Sequence, residues 1–329
     1  MLLLLTRKGV FMVNYQNNPL YGIKSKKKIL KLLFIEKEQL KNLINDYNVY
    51  IRNGKRIIES CNPNLKDVHK RIFKFLKKLE LPNYLISSKK GYSYYKNYEP
   101  HKDNNYFCML DIEKFFPKCS SFYVYQLFLK KFNMSKDVAY LITEICTIDK
   151  NKVFLNNKVL KWYTTVESKI NFEIPNRHIP TGSPISQILA FLSFEDMFEE
   201  INQYCLKNTL TFTVFVDDIT LSSKTKISKK HIYEIKKILR NYNHNNNINK
   251  NRFRIKNDNK RITGVILDKY NNPHAQMKIH YKFKEQLNLY KNNHDLKVKN
   301  KLLGYINTID LIENKKYENV KKAIKNGKV

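Results

Sequence analysis

Two adjacent aspartates interrupt an apolar, β-forming stretch, Leu210-Thr-Phe-Thr-Val-Phe-Val-Asp217-Asp218-Ile-Thr-Leu-Ser-Ser223. A third, Asp111, ends another apolar run, Tyr106-Phe-Cys-Met-Leu-Asp-Ile112. Three carboxylates meeting on one sheet would offer hard oxygen ligands to magnesium, which takes one or two carboxylates and shares its other positions with phosphates and water. Two such ions, roughly 3.5–4 Å apart, activate a hydroxyl nucleophile and stabilise the departing oxygen of an in-line phosphoryl displacement. Without a cation, close carboxylates raise one another's pKa. An Asp-Asp pair is ordinarily a solvated turn. Here it breaks a buried hairpin, and a second apolar strand also ends in Asp, so the chemical reading is favoured.

The elements that must position these residues follow from pattern. Tyr106–Ile112 is short, apolar and preceded by Asn104-Asn105, which predicts a buried strand, and residues 209–223 predict a hairpin with the aspartates at its tip. Leu65, Val68, Ile72, Leu76 and Leu79 recur at helical spacing, predicting a helix from Asn64 to Leu79 capped by Asn64. Pro180-Thr-Gly-Ser-Pro184 reads as a turn, with Ser183 capping a helix that begins at Pro184 and runs to about Leu206. Residues 229–241 read as helix, Asn241–Asn249 as an Asn-rich loop, Arg261–Leu267 as one strand, and the chain after Pro273 as mostly helical. Strands mixed with long helices make the class α+β.

A polyanion is the partner that the charge suggests. The chain of 329 residues has 61 Lys and Arg against 29 acids, a formal net charge of +32. Phosphate contacts by Lys and Arg release counterions and drive binding to nucleic acid. An AT-rich coding sequence would also inflate Lys and Asn everywhere, so charge alone does not decide. Its distribution is more telling: residues 1–100 carry net +14, residues 271–329 net +8, and the longer middle, with the aspartates, only +10. The 22 Tyr and 19 Phe supply core, count against disorder and offer stacking surfaces for bases. Five cysteines without a C-x-x-C pair read as reduced thiols of a cytoplasmic protein, with no zinc signature. The opening Met-Leu-Leu-Leu-Leu is too short for a signal-peptide core, no stretch approaches a membrane span, and Met12 is a second candidate start.

The order of motifs resembles the reverse transcriptases. Asp111-Ile-Glu-Lys-Phe-Phe116 is similar to their motif A, Ile179-Pro-Thr-Gly-Ser-Pro184 to motif B, Phe215-Val-Asp-Asp218 to motif C and Asn247-Ile-Asn-Lys250 to motif D. Lys55-Arg56-Ile-Ile-Glu-Ser-Cys-Asn-Pro63 with Leu65-Lys66 resembles the fingers motif. Within that superfamily the chain looks most like the bacterial retron enzymes. Asn97-Tyr-Glu-Pro-His101 resembles their region X, Asn-Ala-x-x-His, with Tyr98 for Ala, and Ile262-Thr263-Gly264 resembles region Y, Val-Thr-Gly. The resemblance covers roughly residues 50–310.

It implies a right-hand polymerase fold: an N-terminal extension at 1–29, fingers and palm at 30–268, and a basic helical thumb at 269–329. Asp111, Asp217 and Asp218 would be catalytic and, with Ile112, would hold two magnesium ions, for which manganese can substitute. Arg56 and Arg52, with Lys55 as a helper, Phe116, Thr181, Gly182 and Lys250 would meet the incoming deoxynucleotide. Phe116 would be the gate against a 2′-hydroxyl. Asn97, His101, Thr263, Gly264, Lys321 and Lys322 would bind RNA, or in the case of Asn97 and His101 brace the fold. The implied partners are a cognate non-coding RNA serving as template and primer, its DNA product, deoxynucleotides and a separate effector protein, with no membrane. The implied product is a branched RNA–DNA molecule made within an anti-phage system. Two departures bear on rate and fidelity: Thr181 where motif B commonly has Gln, and Phe215 where motif C has Tyr. The rival readings are another defence-associated or group II intron-like reverse transcriptase, and an RNA-binding scaffold with a weak site.

Overall fold

The computed structural model describes residues 12–53, 56–89, 93–170 and 173–326; the opening apolar run and Lys55 lie outside them. The described strands are β1 (Tyr47–Arg52), β2 (Arg56–Cys61), β3 (Tyr106–Asp111), β4 (Ile148–Asp149), β5 (Arg177–His178), β6 (Thr211–Phe215), β7 (Asp218–Ser223), β8 (Arg252–Ile255), β9 (Lys260–Ile262), β10 (Val265–Leu267) and β11 (Pro273–Ala275). They pair antiparallel in sheets ordered β1-β2, β4-β5, β6-β7-β3-β8 and β11-β10-β9. With the helices between them they make the α+β class expected.

The chain forms two compact units. The first takes the described parts of Met1–Lys90, Ile112–Tyr204 and Tyr233–Asn246; the second takes those of Gly91–Asp111, Cys205–Ile232 and Asn247–Val329.

In the first unit, the helix Pro63–Leu76 buries Leu65, Val68, His69, Ile72 and Leu76 along one stripe. Each fully buried aliphatic side chain contributes about 1.5–3 kcal/mol, and Ile72→Ala would cost about 2–5 kcal/mol. Its start differs from the expected Asn64. Pro63 takes the first turn, where its missing N–H is not needed, and Asn62 donates its side-chain amide to Asp46 Oδ1 at 2.7 Å instead of capping. The long helix expected from Pro184 also differs. It is two helices, Ser186–Ser193 and Glu195–Lys207, parted at Phe194. Phe194 is pinned among Phe115, Tyr123 and His244, while Glu195 accepts from Tyr15 Oη at 2.6 Å and Val13 N at 3.0 Å. That grip on Val13 and Tyr15, with Leu20, Ile23 and Ile29 buried, anchors the segment 13–29 to this unit through a few side chains.

In the second unit, β3 is bonded on both sides, by β7 and β8. The single strand expected over Arg261–Leu267 is a hairpin of β9 and β10, because Thr263 (φ 40°) and Gly264 (φ 100°) turn the chain between them. At Gly264 this left-handed backbone is one that only glycine adopts readily. The tail is helical, as expected, in Met277–Asn293, Leu296–Ile312 and Glu318–Lys325. It shares one apolar core with Phe107, Ile262, Val265 and Leu267. No helix among the described residues is long and apolar enough to cross a membrane.

Candidate active site

In the β3–β7 ladder Asp111 stands opposite Asp218. Directly paired residues have Cβ atoms about 4.5–5.5 Å apart on one face. Asp217 occupies the two-residue connection between β6 and β7, beside Val216. Val216 has φ 61°, a left-handed backbone that a β-branched residue adopts only under strain. A right-twisted hairpin wants a positive φ there, so strand pairing on both sides enforces it.

The charges are crowded. Burial, then Asp218 and Asp111, push the Asp217 carboxyl up to about 7. Asp218 is raised by withdrawal from water and then by Asp111, against the pull of Lys250, Arg252 and Arg261. Lys250, in a short 3-10 turn at Ile248–Lys250, donates its ammonium to Asp111 Oδ1 at 2.7 Å. The turn is tied to the same residue by Asn247 N–H donating to the Asp111 carbonyl at 2.8 Å. Among the described residues no three His, Cys, Asp or Glu side chains already enclose a single point as metal ligands do. The donor chemistry nonetheless suits a hard divalent cation: Asp217 and Asp218, each raised partly by a neighbouring carboxylate, are relieved by positive charge. Ile112, buried and bridged to Asn246, can offer only its carbonyl.

Behind the hairpin, region X forms a 3-10 helix, Tyr94–His101. Asn97 and His101, expected either to meet RNA or to brace the fold, are fully buried. Thr213 Oγ1 donates to Asn97 Oδ1 at 2.6 Å and so accepts from His101 Nε2–H at 2.7 Å. His101 Nδ1 is then left to accept from Ser222 Oγ at 2.7 Å. Burial pushes His101 down to about 3, which keeps it neutral in this chain of bonds. One imidazole thus spans β6 and β7, the hairpin whose tip holds Asp217 and Asp218. Region Y packs on the start of the same helix, ahead of region X: Thr263 Oγ1 donates to the Tyr94 carbonyl at 3.2 Å, and a Cβ on Gly264 would lie 3.4 Å from the Tyr94 ring. Lys322 is exposed and shares its charge with Glu318 at 3.4 Å, while Lys321 is half-buried on the same helix.

The first unit holds the remaining expected residues. Arg52 and Arg56 are cross-strand partners in β1 and β2, both exposed. Like charges directly opposite repel unless an anion joins them, and guanidinium forks suit phosphate oxygens. Phe115 is core, against Phe194, Phe198 and His244, whereas Phe116 is half-exposed beside it. Thr181 and Gly182 lie along the outer edge of β2. Thr181 Oγ1 donates to the Ile57 carbonyl and accepts from Glu59 N–H, both at 3.1 Å. A Cβ on Gly182 would come within 2.9 Å of the Glu59 carbonyl, so glycine is needed there for contact between chain segments.

Sequence reasoning missed Glu59, His178 and Tyr163. Glu59 is fully buried and accepts from Tyr163 Oη, from His178 Nε2 at 2.8 Å and from Thr181 N–H at 2.8 Å. Burial alone would raise Glu59, but these donors outweigh it and hold the carboxyl below its ordinary value. His178 is lowered by burial and raised more by Glu59, for a net upward shift. The partners lie more than 100 residues away in the chain, so no local spacing announces them.

This α+β fold with paired strand-borne aspartates is that of right-hand polymerases. The profile of the family described as reverse transcriptase (RNA-dependent DNA polymerase) matches residues 35–267, and the chain belongs to that family. It is 27% identical over 177 residues to the Retron Se72 reverse transcriptase of Salmonella heidelberg (strain 579083-10), a match covering 54% of this chain and 40% of that protein. The telomerase of Candida albicans, solved with a TWJ fragment of telomeric RNA, superposes with a TM-score of 0.41 and 10% identity over 85% of this chain and 56% of that one.

Proposed function

We propose that this protein is the RNA-directed DNA polymerase of a retron. It copies a cognate structured RNA, which also supplies the priming hydroxyl, into a branched RNA–DNA product. The observation that carries the polymerase reading is the pairing of Asp111 with Asp218 and the placing of Asp217 in the adjoining turn. Similarity to a protein named as a retron enzyme supports the retron reading.

Each residue's surroundings suit a role. Asp111, Asp217 and Asp218 would hold two magnesium ions, or manganese in their place, which when bound supply a polarised nucleophilic hydroxyl and charge neutralisation. Arg52 and Arg56 grip the triphosphate, Phe116 presents its ring to the sugar, and Thr181 and Gly182 shape the floor beneath the nucleotide. Lys250, which bonds Asp111, would face the leaving pyrophosphate. Lys321 and Lys322 bind RNA backbone. The enzyme works in the cytoplasm with a separate effector chain in defence against phage.

Primer extension on an RNA template tests this. Wild type should incorporate deoxynucleotides and Asp217→Asn/Asp218→Asn should not. Equal and negligible incorporation by both would leave an RNA-binding scaffold.

A further inference from the structure

The outer edge of β2 is completed by a side chain. Successive outward-facing backbone groups of a strand, here the Ile57 carbonyl and the Glu59 N–H, would ordinarily bond a neighbouring strand. The Thr181 hydroxyl satisfies both, each at 3.1 Å. The Glu59 carboxylate then reaches back to the Thr181 N–H at 2.8 Å, so the contact is reciprocal. Gly182 continues it, with no room for a Cβ against Ile58 and Glu59. Two further elements fix the carboxylate itself: His178 Nε2 from β5 at 2.8 Å, and Tyr163 Oη from the helix Asn157–Ile170. His178 is oriented in turn by the Pro175 carbonyl, 2.9 Å from Nδ1. Both His178 and Glu59 are fully enclosed. Three residues before Glu59 on the same strand is Arg56, paired with Arg52.

We propose that Glu59 is a positioning residue: it locks the Thr181–Gly182 turn onto β2, so that this turn and the arginine pair present one preset surface to the nucleotide. A hydrophobic neighbour would pack as well but would not fix the turn's register. A buried carboxylate with several donors tolerates only the arrangement that satisfies it. A preset surface lowers the cost of binding, because groups already in place lose no freedom when the ligand arrives. This rests on the nucleotide-binding role assigned above.

Glu59→Gln tests it, since an amide keeps the size but must set its NH2 against one of the donors. The dNTP KM in primer extension should rise about tenfold, with kcat at saturating dNTP within threefold and RNA affinity unchanged. Thr181→Val should reproduce the rise and Thr181→Ser should restore wild-type KM. Because Glu59→Gln could fail to fold, the Thr181 pair stands as an independent test. A second readout needs no turnover: dNTP with magnesium should raise the Tm of wild type and of Thr181→Ser, but much less that of Thr181→Val and Glu59→Gln. Unchanged KM and unchanged dNTP-induced Tm shift in folded Thr181→Val would overturn the proposal, as would a fall in kcat with KM intact. If wild type shows the Tm shift but copies no RNA, the polymerase reading fails while the positioning role is still decided by the shift.

Discussion

The Lys250 ammonium lies 2.7 Å from Asp111 Oδ1, occupying an oxygen that a cation would need. The side chain is about half exposed, at 53%, so the pair is easily parted. Exposed ion pairs contribute about 0.2–1 kcal/mol. Lys250→Met should therefore lower the magnesium concentration at half-maximal thermal stabilisation by about threefold. Incorporation should fall, because the cation facing the leaving group is gone. A raised or unmoved magnesium midpoint would mean that the ammonium does not compete.

Val216 carries strain at the hairpin tip, at φ 61°. Glycine there removes about 1–2 kcal/mol of left-handed strain and adds roughly 0.5–1 kcal/mol of unfolded-state entropy. Val216→Gly should leave thermal stability level or slightly higher. It should slow incorporation about tenfold, the effect of about 1.4 kcal/mol on the barrier, as the two aspartates lose their fixed approach. A loss of several kcal/mol in urea unfolding would show that the valine's contacts outweigh its strain.

Phe116 is half-exposed while its neighbour Phe115 is core. Phe116→Ala should admit ribonucleotides in primer extension without a large loss of stability. Unchanged sugar discrimination would remove Phe116 from the gate.

His101 and His69 are buried and neutral, pushed down by burial to about 3 and about 4. In the unfolded chain each titrates near 6.5. Protons therefore bind the unfolded state first, and the stability these residues give is full above about pH 6.5 and falls as pH drops toward 4 and 3. At pH 5 the loss is about 2 kcal/mol for each. Asp217, raised to about 7, acts in the opposite sense, so the comparison belongs in an Asp217→Asn background. There, urea unfolding should weaken between pH 7 and 5, and His101→Gln should shrink that dependence by about 2 kcal/mol. Parallel profiles for the two proteins would contradict a neutral His101.

Much of the second unit was legible because its signals are local. Asp111, Asp217 and Asp218 end or join short apolar runs whose period and length define strands. The Thr263-Gly264 turn was hidden because Ile262 and Val265-Ile-Leu267 on its two sides read as one strand until the positive φ is seen. For Asn97 and His101 the sequence left RNA contact and bracing both open, because the hydroxyls of Thr213 and Ser222 that meet them inside the fold lie more than 100 residues away. In the first unit, Glu59 sat unnoticed inside the fingers motif. Its partners are set by tertiary packing, which spacing along the chain does not encode.

Side chains in a strand alternate between faces with a period of two. Because Asp111 faces Asp218 across β3 and β7, inserting or deleting one residue inside Tyr106–Asp111 or Asp218–Ser223 would send one carboxylate to the reverse of the sheet. Related chains can therefore lengthen or shorten at the surface between these strands, while gaps within the strands themselves should be missing from any functional descendant.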